Sequence, residues 1–224
     1  MKWRNNKRNT NPITPLCLLL GISFINTVTA AIDADDDKVN RLALQGQIDT
    51  QAPLSKTLWA GAHNAYASYE WDAAPYTDVN QWYSPNDLFN RGIREMEYDV
   101  YPASSISSTP QMCHLGLEEK TMCIYMFGTA ATLGEGLDEI TDYLANHKDE
   151  VILLKFEAYD SSYHTNFRNK IGEKIESRLG DYVFKPSDWG YGDDDCASLP
   201  VQTLTKQDVL DAGRNVILFN LNSG

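Results

Sequence analysis

Positive charge is scarce in this chain: 19 lysines and arginines stand against 31 aspartates and glutamates, for a formal net charge of −12. Four of the cations, Lys2, Arg4, Lys7 and Arg8, sit at the very start, and removing residues 1–30 would take the balance from −12 to −16. That leaves no basic footprint for nucleic-acid phosphates and no electrostatic grip on anionic membranes. A local phosphate site then needs a bound cation to supply positive charge. Long apolar runs are equally few. Pro15 to Val28 is too short, and too soon interrupted by Asn26 and Thr27, for a comfortable membrane span. Lying between a basic start and the small residues Val28-Thr29-Ala30, it reads as a secretory signal over residues 1–30, with an uncleaved anchor as the alternative. No second such stretch follows, so the expected product is secreted, with no stable transmembrane span. Cysteine is limited to four positions. Cys17 would leave with the signal, and neither a C-x-x-C pair nor a Cys/His set has zinc spacing. Export permits a Cys113–Cys123 disulfide around His114, which leaves Cys196 odd. Phosphate-loop glycines and a G-x-S-x-G elbow are both missing, which argues against a nucleotide-binding enzyme and a serine hydrolase. The acidic stretch Asp33–Asn40 lacks the glycine and glutamate of a calcium loop, since Lys38 and Leu44 stand there. Residues 31–55 read as a solvated acidic arm.

What is present is organised around Arg91-Gly-Ile-Arg-Glu-Met-Glu-Tyr-Asp-Val-Tyr101. As a strand it places Met96, Tyr98 and Val100 on one face and Glu95, Glu97 and Asp99 on the other. Three same-face carboxylates about 7 Å apart repel unless a cation sits among them. Glu150 to Tyr159 repeats the alternation, with Ile152, Leu154 and Phe156 on one face and Leu153, Lys155 and Glu157 on the other. Leu58 to His63 reads as a short buried strand, Asn215 to Asn222 as a last one with Asn220 and Asn222 sharing a face, and residues 102–112 as loop. Helical spacing links Leu133, Leu137, Ile140 and Leu144, and again Phe167, Ile171, Ile175 and Leu179, the latter closed by Gly180. Ser84-Pro85 and Thr205 with Asp208 mark two short helix starts. Alternating strands and helices predict parallel βαβ units, whose ligands lie at the carboxyl ends of the strands. His63, Glu97, Asp99, Lys155, Glu157, Asn220 and Asn222 all fall near such ends. His147 and His164 do not, and read as structural or surface groups.

Four strings carry a resemblance: G-A-H-N-A-Y (Gly61–Tyr66), G-I-R-E-M-E-Y-D-V (Gly92–Val100), C-H-L-G (Cys113–Gly116) and L-L-K-F-E (Leu153–Glu157). They resemble the catalytic X-region of the phosphatidylinositol-specific phospholipases C and related phosphodiesterases over about residues 56–160, with a looser match over Leu199–Asn220. The resemblance implies a TIM-type (β/α) barrel over residues 56–224 and a paired-histidine mechanism on a phosphodiester. By position it implies His63 and His114 as catalytic histidines. Asn64, Glu97, Asp99 and Glu157 become ligands of a divalent metal, with calcium suited to such hard oxygens. Asp99 stands where the metal-free branch has an arginine, which points to the metal-dependent branch. Lys155 resembles the metal-free branch instead and is expected at the substrate phosphate.

The expectation is therefore a secreted phosphoric diester hydrolase of the phospholipase C type, acting on a phospholipid or small phosphodiester. Two alternatives stay open: a glycerophosphodiester- or sphingomyelin-directed enzyme, and a non-catalytic binding protein on the same scaffold. An eight-stranded barrel takes about 250 residues, and only about five strands can be counted here. The expected barrel is incomplete.

Overall fold

Ser84 accepts a hydrogen bond from the Asp87 backbone N–H and Pro85 occupies the first turn, so helix α1 spans Pro85–Asn90. A turn at Gly92, whose φ of 88° suits glycine, then releases the chain into strand β2, Glu95–Pro102. In the computed structural model, residues 41–42, 44, 48–69, 79–103, 107–113, 131–158, 166–192 and 195–220 are described. All of them fall in the unit Asp33–Gly224. The other elements are strand β1 (Gly61–Ala62), strand β3 (Pro110–Met112), helix α2 (Leu133–Asn146), strand β4 (Ile152–Ala158), helix α3 (Phe167–Leu179), helix α4 (Lys206–Asp211) and strand β5 (Val216–Asn220).

The sheet runs β1-β2-β4-β5, all parallel, and β3 joins β2 antiparallel. Strand β4 lines one edge of β2 from Glu95 to Val100. The opposite edge is shared, with β1 against Glu95 and Met96 and β3 against Val100 to Pro102. Residues 110–112, expected as loop, are therefore strand. Pro110 stands at the end of the β2–β3 ladder, and a proline is tolerated at an edge. Among the described residues the sheet does not close, and the expected incomplete barrel is seen as an open α/β sheet.

Period-two alternation decides the two faces. Met96, Tyr98, Val100, Ile152, Leu154 and Phe156 are buried against the helices. Helix α2 meets them with Leu133, Leu137, Ile140 and Leu144, each fully buried and each worth roughly 1.5–3 kcal/mol relative to exposure. Thr132 and Glu135 form a reciprocal capping box that starts this helix. Helix α3 buries Phe167, Ile171 and Leu179. Its cap, Gly180, is right-handed rather than left-handed. Glycine is needed there for space, since a Cβ would come within 2.5 Å of the Glu176 carbonyl oxygen. The face away from the helices carries Glu95, Glu97 and Asp99 beside Leu153, Lys155 and Glu157, in paired rows.

The amino-terminal end of the sheet is closed by ion pairing. The buried Arg94 guanidinium donates to both carboxylate oxygens of Glu150 at 3.0 Å, to the Tyr143 hydroxyl at 2.6 Å and to the Phe89 and Ile93 carbonyls. One side chain thus ties β2 to α1, α2 and the start of β4.

Candidate active site

Strand β1 ends at Ala62, and His63 and Asn64 follow at once. Asn64 takes a left-handed φ of 47°, a conformation asparagine tolerates better than most residues. This turn lets the Ala65 N–H donate to the Glu97 carbonyl at 3.0 Å, which holds the His63–Tyr66 segment against β2. The His63 ring is largely exposed, with 66% of its side chain accessible. Its Nε2 lies 3.2 Å from Glu97 Oε1 and its Nδ1 lies 3.3 Å from Asn80 Oδ1. Both neighbours are acceptors, so an imidazolium donates to both and a neutral ring to only one. Gln81 also donates to the His63 carbonyl at 2.7 Å. Asn80 and Gln81 are anchored in turn by the Ala67 carbonyl. No periodic signal in the sequence marks these two amides.

Behind His63 the site is buried. Asn64 is 0% exposed and Asp99 3% exposed. The Tyr66 hydroxyl, also buried, lies 3.5 Å from Asn64 Oδ1 and hydrogen-bonds the Asp99 carboxylate. Among the described residues, Asn64 Nδ2 and Asp99 Oδ1 have no hydrogen-bond partner. Burial first, then the charges of Glu157 and Glu97, push the Asp99 carboxyl up to about 7, opposed by Tyr66 and His63. Asp99 and Glu157 are register partners, as are Glu97 and Lys155. The Lys155 ammonium is ion-paired to Glu95. Gly61 makes room for that pair, because a Cβ there would come within 2.9 Å of the Glu95 carboxyl carbon.

The structure thus places His63 and Asn64 just past the end of β1, with Glu97 and Asp99 along β2 and Lys155 and Glu157 along β4, in paired rows on the face away from the helices. His114 and Cys123 lie outside the described residues. Cys113, next to His114, is buried, and its N–H donates to the Asp99 carbonyl at 3.3 Å. Asn222 and His164 also lie outside the described residues. Asn220 pairs in register with Phe156, so Phe219, not Asn220, shares the row of Lys155. His147 accepts a structural place, stacked on Tyr143 at 4.0 Å with its Nδ1 2.8 Å from the Tyr143 carbonyl.

Among the described residues, no group of three or more His, Cys, Asp and Glu is drawn together at metal-binding spacing. The donor chemistry does fit a hard dication. The orphaned, buried Asp99 oxygen is repelled by the Glu157 and Glu97 carboxylates, a repulsion that a dication held by these oxygens and the Asn64 amide oxygen would relieve.

No protein-family model and no curated protein sequence matches the chain. Solved structures do. Two structures of the phosphatidylinositol-specific phospholipase C of Staphylococcus aureus superpose with TM-scores of 0.58 and 0.55 at 16% and 14% identity. Each covers 86% of this chain and 56% of its own. A mutant of the same enzyme gives 0.53 at 14% identity, covering 84% and 55%. The chain therefore spans little more than half the length of these structures. Over that span, its fold is that of the phosphatidylinositol-specific phospholipases C.

Proposed function

We propose that this chain is a phosphodiesterase of the phospholipase C type, acting on a phospholipid or a related phosphodiester. The observation that carries the reading is the exposed His63 ring, set 3.2 Å from Glu97 at the strand ends above the buried Asn64–Asp99 pair. Phosphodiester cleavage needs a group to take the proton of the attacking hydroxyl and another to protonate the leaving alkoxide. His63, reachable from solvent and oriented through both ring nitrogens, serves the attacking side or donates to the charged phosphorane. His114 is proposed for the leaving group, and Glu97 or Glu157 would share in proton transfer. Asn64, Glu97, Asp99 and Glu157 would hold a divalent cation, calcium by the hardness of the oxygens, which as a Lewis acid supplies charge stabilisation to the phosphoryl oxygens when bound. Lys155, spent on Glu95 here, would reach a phosphate only by exchanging that partner.

A lipid substrate is favoured by one further observation. Tyr69 and Trp82 stack obliquely with ring centroids 5.3 Å apart and remain 53% and 72% exposed, beside the loop that anchors His63. Amphipathic aromatics at such a rim suit the boundary between water and lipid. Secretion and a loop-closing Cys113–Cys123 disulfide belong to the same proposal.

Initial rates on phosphatidylinositol, measured beside thermal melts, test the assignment. His63→Ala should lower turnover per folded molecule by roughly 10²–10⁴ while the melting point holds, because an exposed ring leaves no cavity. Near-normal turnover in the folded variant would refute it.

A further inference from the structure

At the other end of the sheet, away from His63, the segments that enter β1, β2 and β5 surround a cavity of about 150 Å³. Its walls are Leu42, Leu58, Trp59 and Gly92, and its cations are Arg94 and Lys206. The two cations differ. Arg94 is fully engaged by Glu150, Tyr143 and two carbonyls. Lys206 is 4% exposed, yet among the described residues its ammonium forms no ion pair, lying instead over the Trp59 ring at 4.3 Å from the centroid. Burial is the leading influence on this ammonium and draws its proton affinity down; Asp49 and Glu150 pull the other way and Arg94 repels. A buried ammonium without a hydrogen-bonded anion is costly, and a Trp face compensates it only in part.

We propose that this cavity is a binding site for a small monocarboxylate carrying a short hydrocarbon group. The charge sets the class: Glu150 offsets Arg94, and among the described residues Asp49 acts on Lys206 only from beyond ion-pair distance, so the site keeps a modest positive charge that matches a monoanion better than a phosphate. The volume lies well below the ~300–1,000 Å³ of drug-sized sites and fits a ligand of a few heavy atoms. Leu58, 72% exposed, and Leu42 give the site an apolar lip for the hydrocarbon. The carboxylate would take hydrogen bonds from the Lys206 ammonium, with the Trp59 ring beneath. This site does not depend on the phosphodiesterase reading.

Thermal melts of the full chain at constant ionic strength test the proposal, with sodium isobutyrate replacing chloride. Above the dissociation constant the midpoint should rise with the logarithm of isobutyrate concentration, by roughly 3–5 °C per tenfold. Isobutylammonium, of the same shape and opposite charge, should give no rise. Lys206→Met keeps the alkyl stem, should melt in chloride no lower than the parent, and should lose the response to isobutyrate. A flat isobutyrate titration, an equal response to isobutylammonium, or a response retained in Lys206→Met would each overturn the site. If Lys206→Met fails to fold, the two ligands on the parent protein still decide.

Discussion

Asp99 concentrates the conflict in the acidic face. Burial and the neighbouring Glu157 and Glu97 hold its carboxyl up at about 7, above the ~3.9 of an unfolded aspartate. A raised folded value means stability is fullest below about pH 4 and is lost as pH rises towards and through 7. In chelator, Asp99→Asn should therefore match the parent near pH 4 and exceed it by about 2–4 kcal/mol near pH 8 in urea titrations. Parallel pH profiles would contradict the burial of a carboxyl in that place. Tyr66 acts beside it as a positioning residue, its hydroxyl serving Asn64 and Asp99. Tyr66→Phe removes one oxygen and should cost only about 0.5–1.5 kcal/mol of stability. It should lower kcat and calcium affinity by roughly 10–100-fold with KM nearly unchanged. Unchanged kcat and calorimetric calcium affinity would make Tyr66 an ordinary core tyrosine.

Among the elements, β2 and β4 were legible because a strand with one packed and one polar face writes its period directly into Met96, Tyr98, Val100 and Ile152, Leu154, Phe156. Helices α2 and α3 were legible for the same reason at helical spacing, and the caps at Ser84 and Thr205 through their side-chain chemistry. Strand β3 was not, since it is three residues long, contains a proline and is held by backbone pairing to β2, which leaves no pattern in side chains. Position along the chain groups Asn220 with the site, but the β4–β5 register aligns it with Phe156. Asn80 and Gln81 orient His63 from a distant loop through amide hydrogen bonds, which no spacing rule reveals. Two predictions belong to this scale. Arg94 joins four elements, so Arg94→Leu should destabilise by roughly 3–5 kcal/mol in urea, leaving Glu150 and two carbonyls without their donor. A loss under 1 kcal/mol would mean the network is not what closes that end of the sheet. Trp82→Ala should weaken co-sedimentation with phosphatidylinositol vesicles several-fold while leaving the melting point within a degree or so, as an exposed ring supports little packing. Equal vesicle binding would remove the aromatic pair from any role at lipid.

For the whole molecule, the two ends of the sheet differ in chemistry. The amino-terminal end is locked by Arg94 and Glu150 and holds the Lys206 cavity. Beyond the end of β1, His63 and Asn64 meet the carboxylates of β2 and β4, and ligand sites in parallel α/β sheets lie towards the strand carboxyl ends. No described helix is long and apolar enough to cross a membrane. Among the described residues the sheet does not close, and the chain spans 56% of the length of the similar structures. Release of phosphorylated head group from labelled phosphatidylinositol vesicles, by the folded chain with calcium, with chelator, and after calcium is restored, tests the proposed phosphodiesterase activity most directly. Release is expected with calcium, with loss in chelator and recovery when calcium is restored. Absence of release in all three conditions, from protein shown to be folded, would contradict that activity.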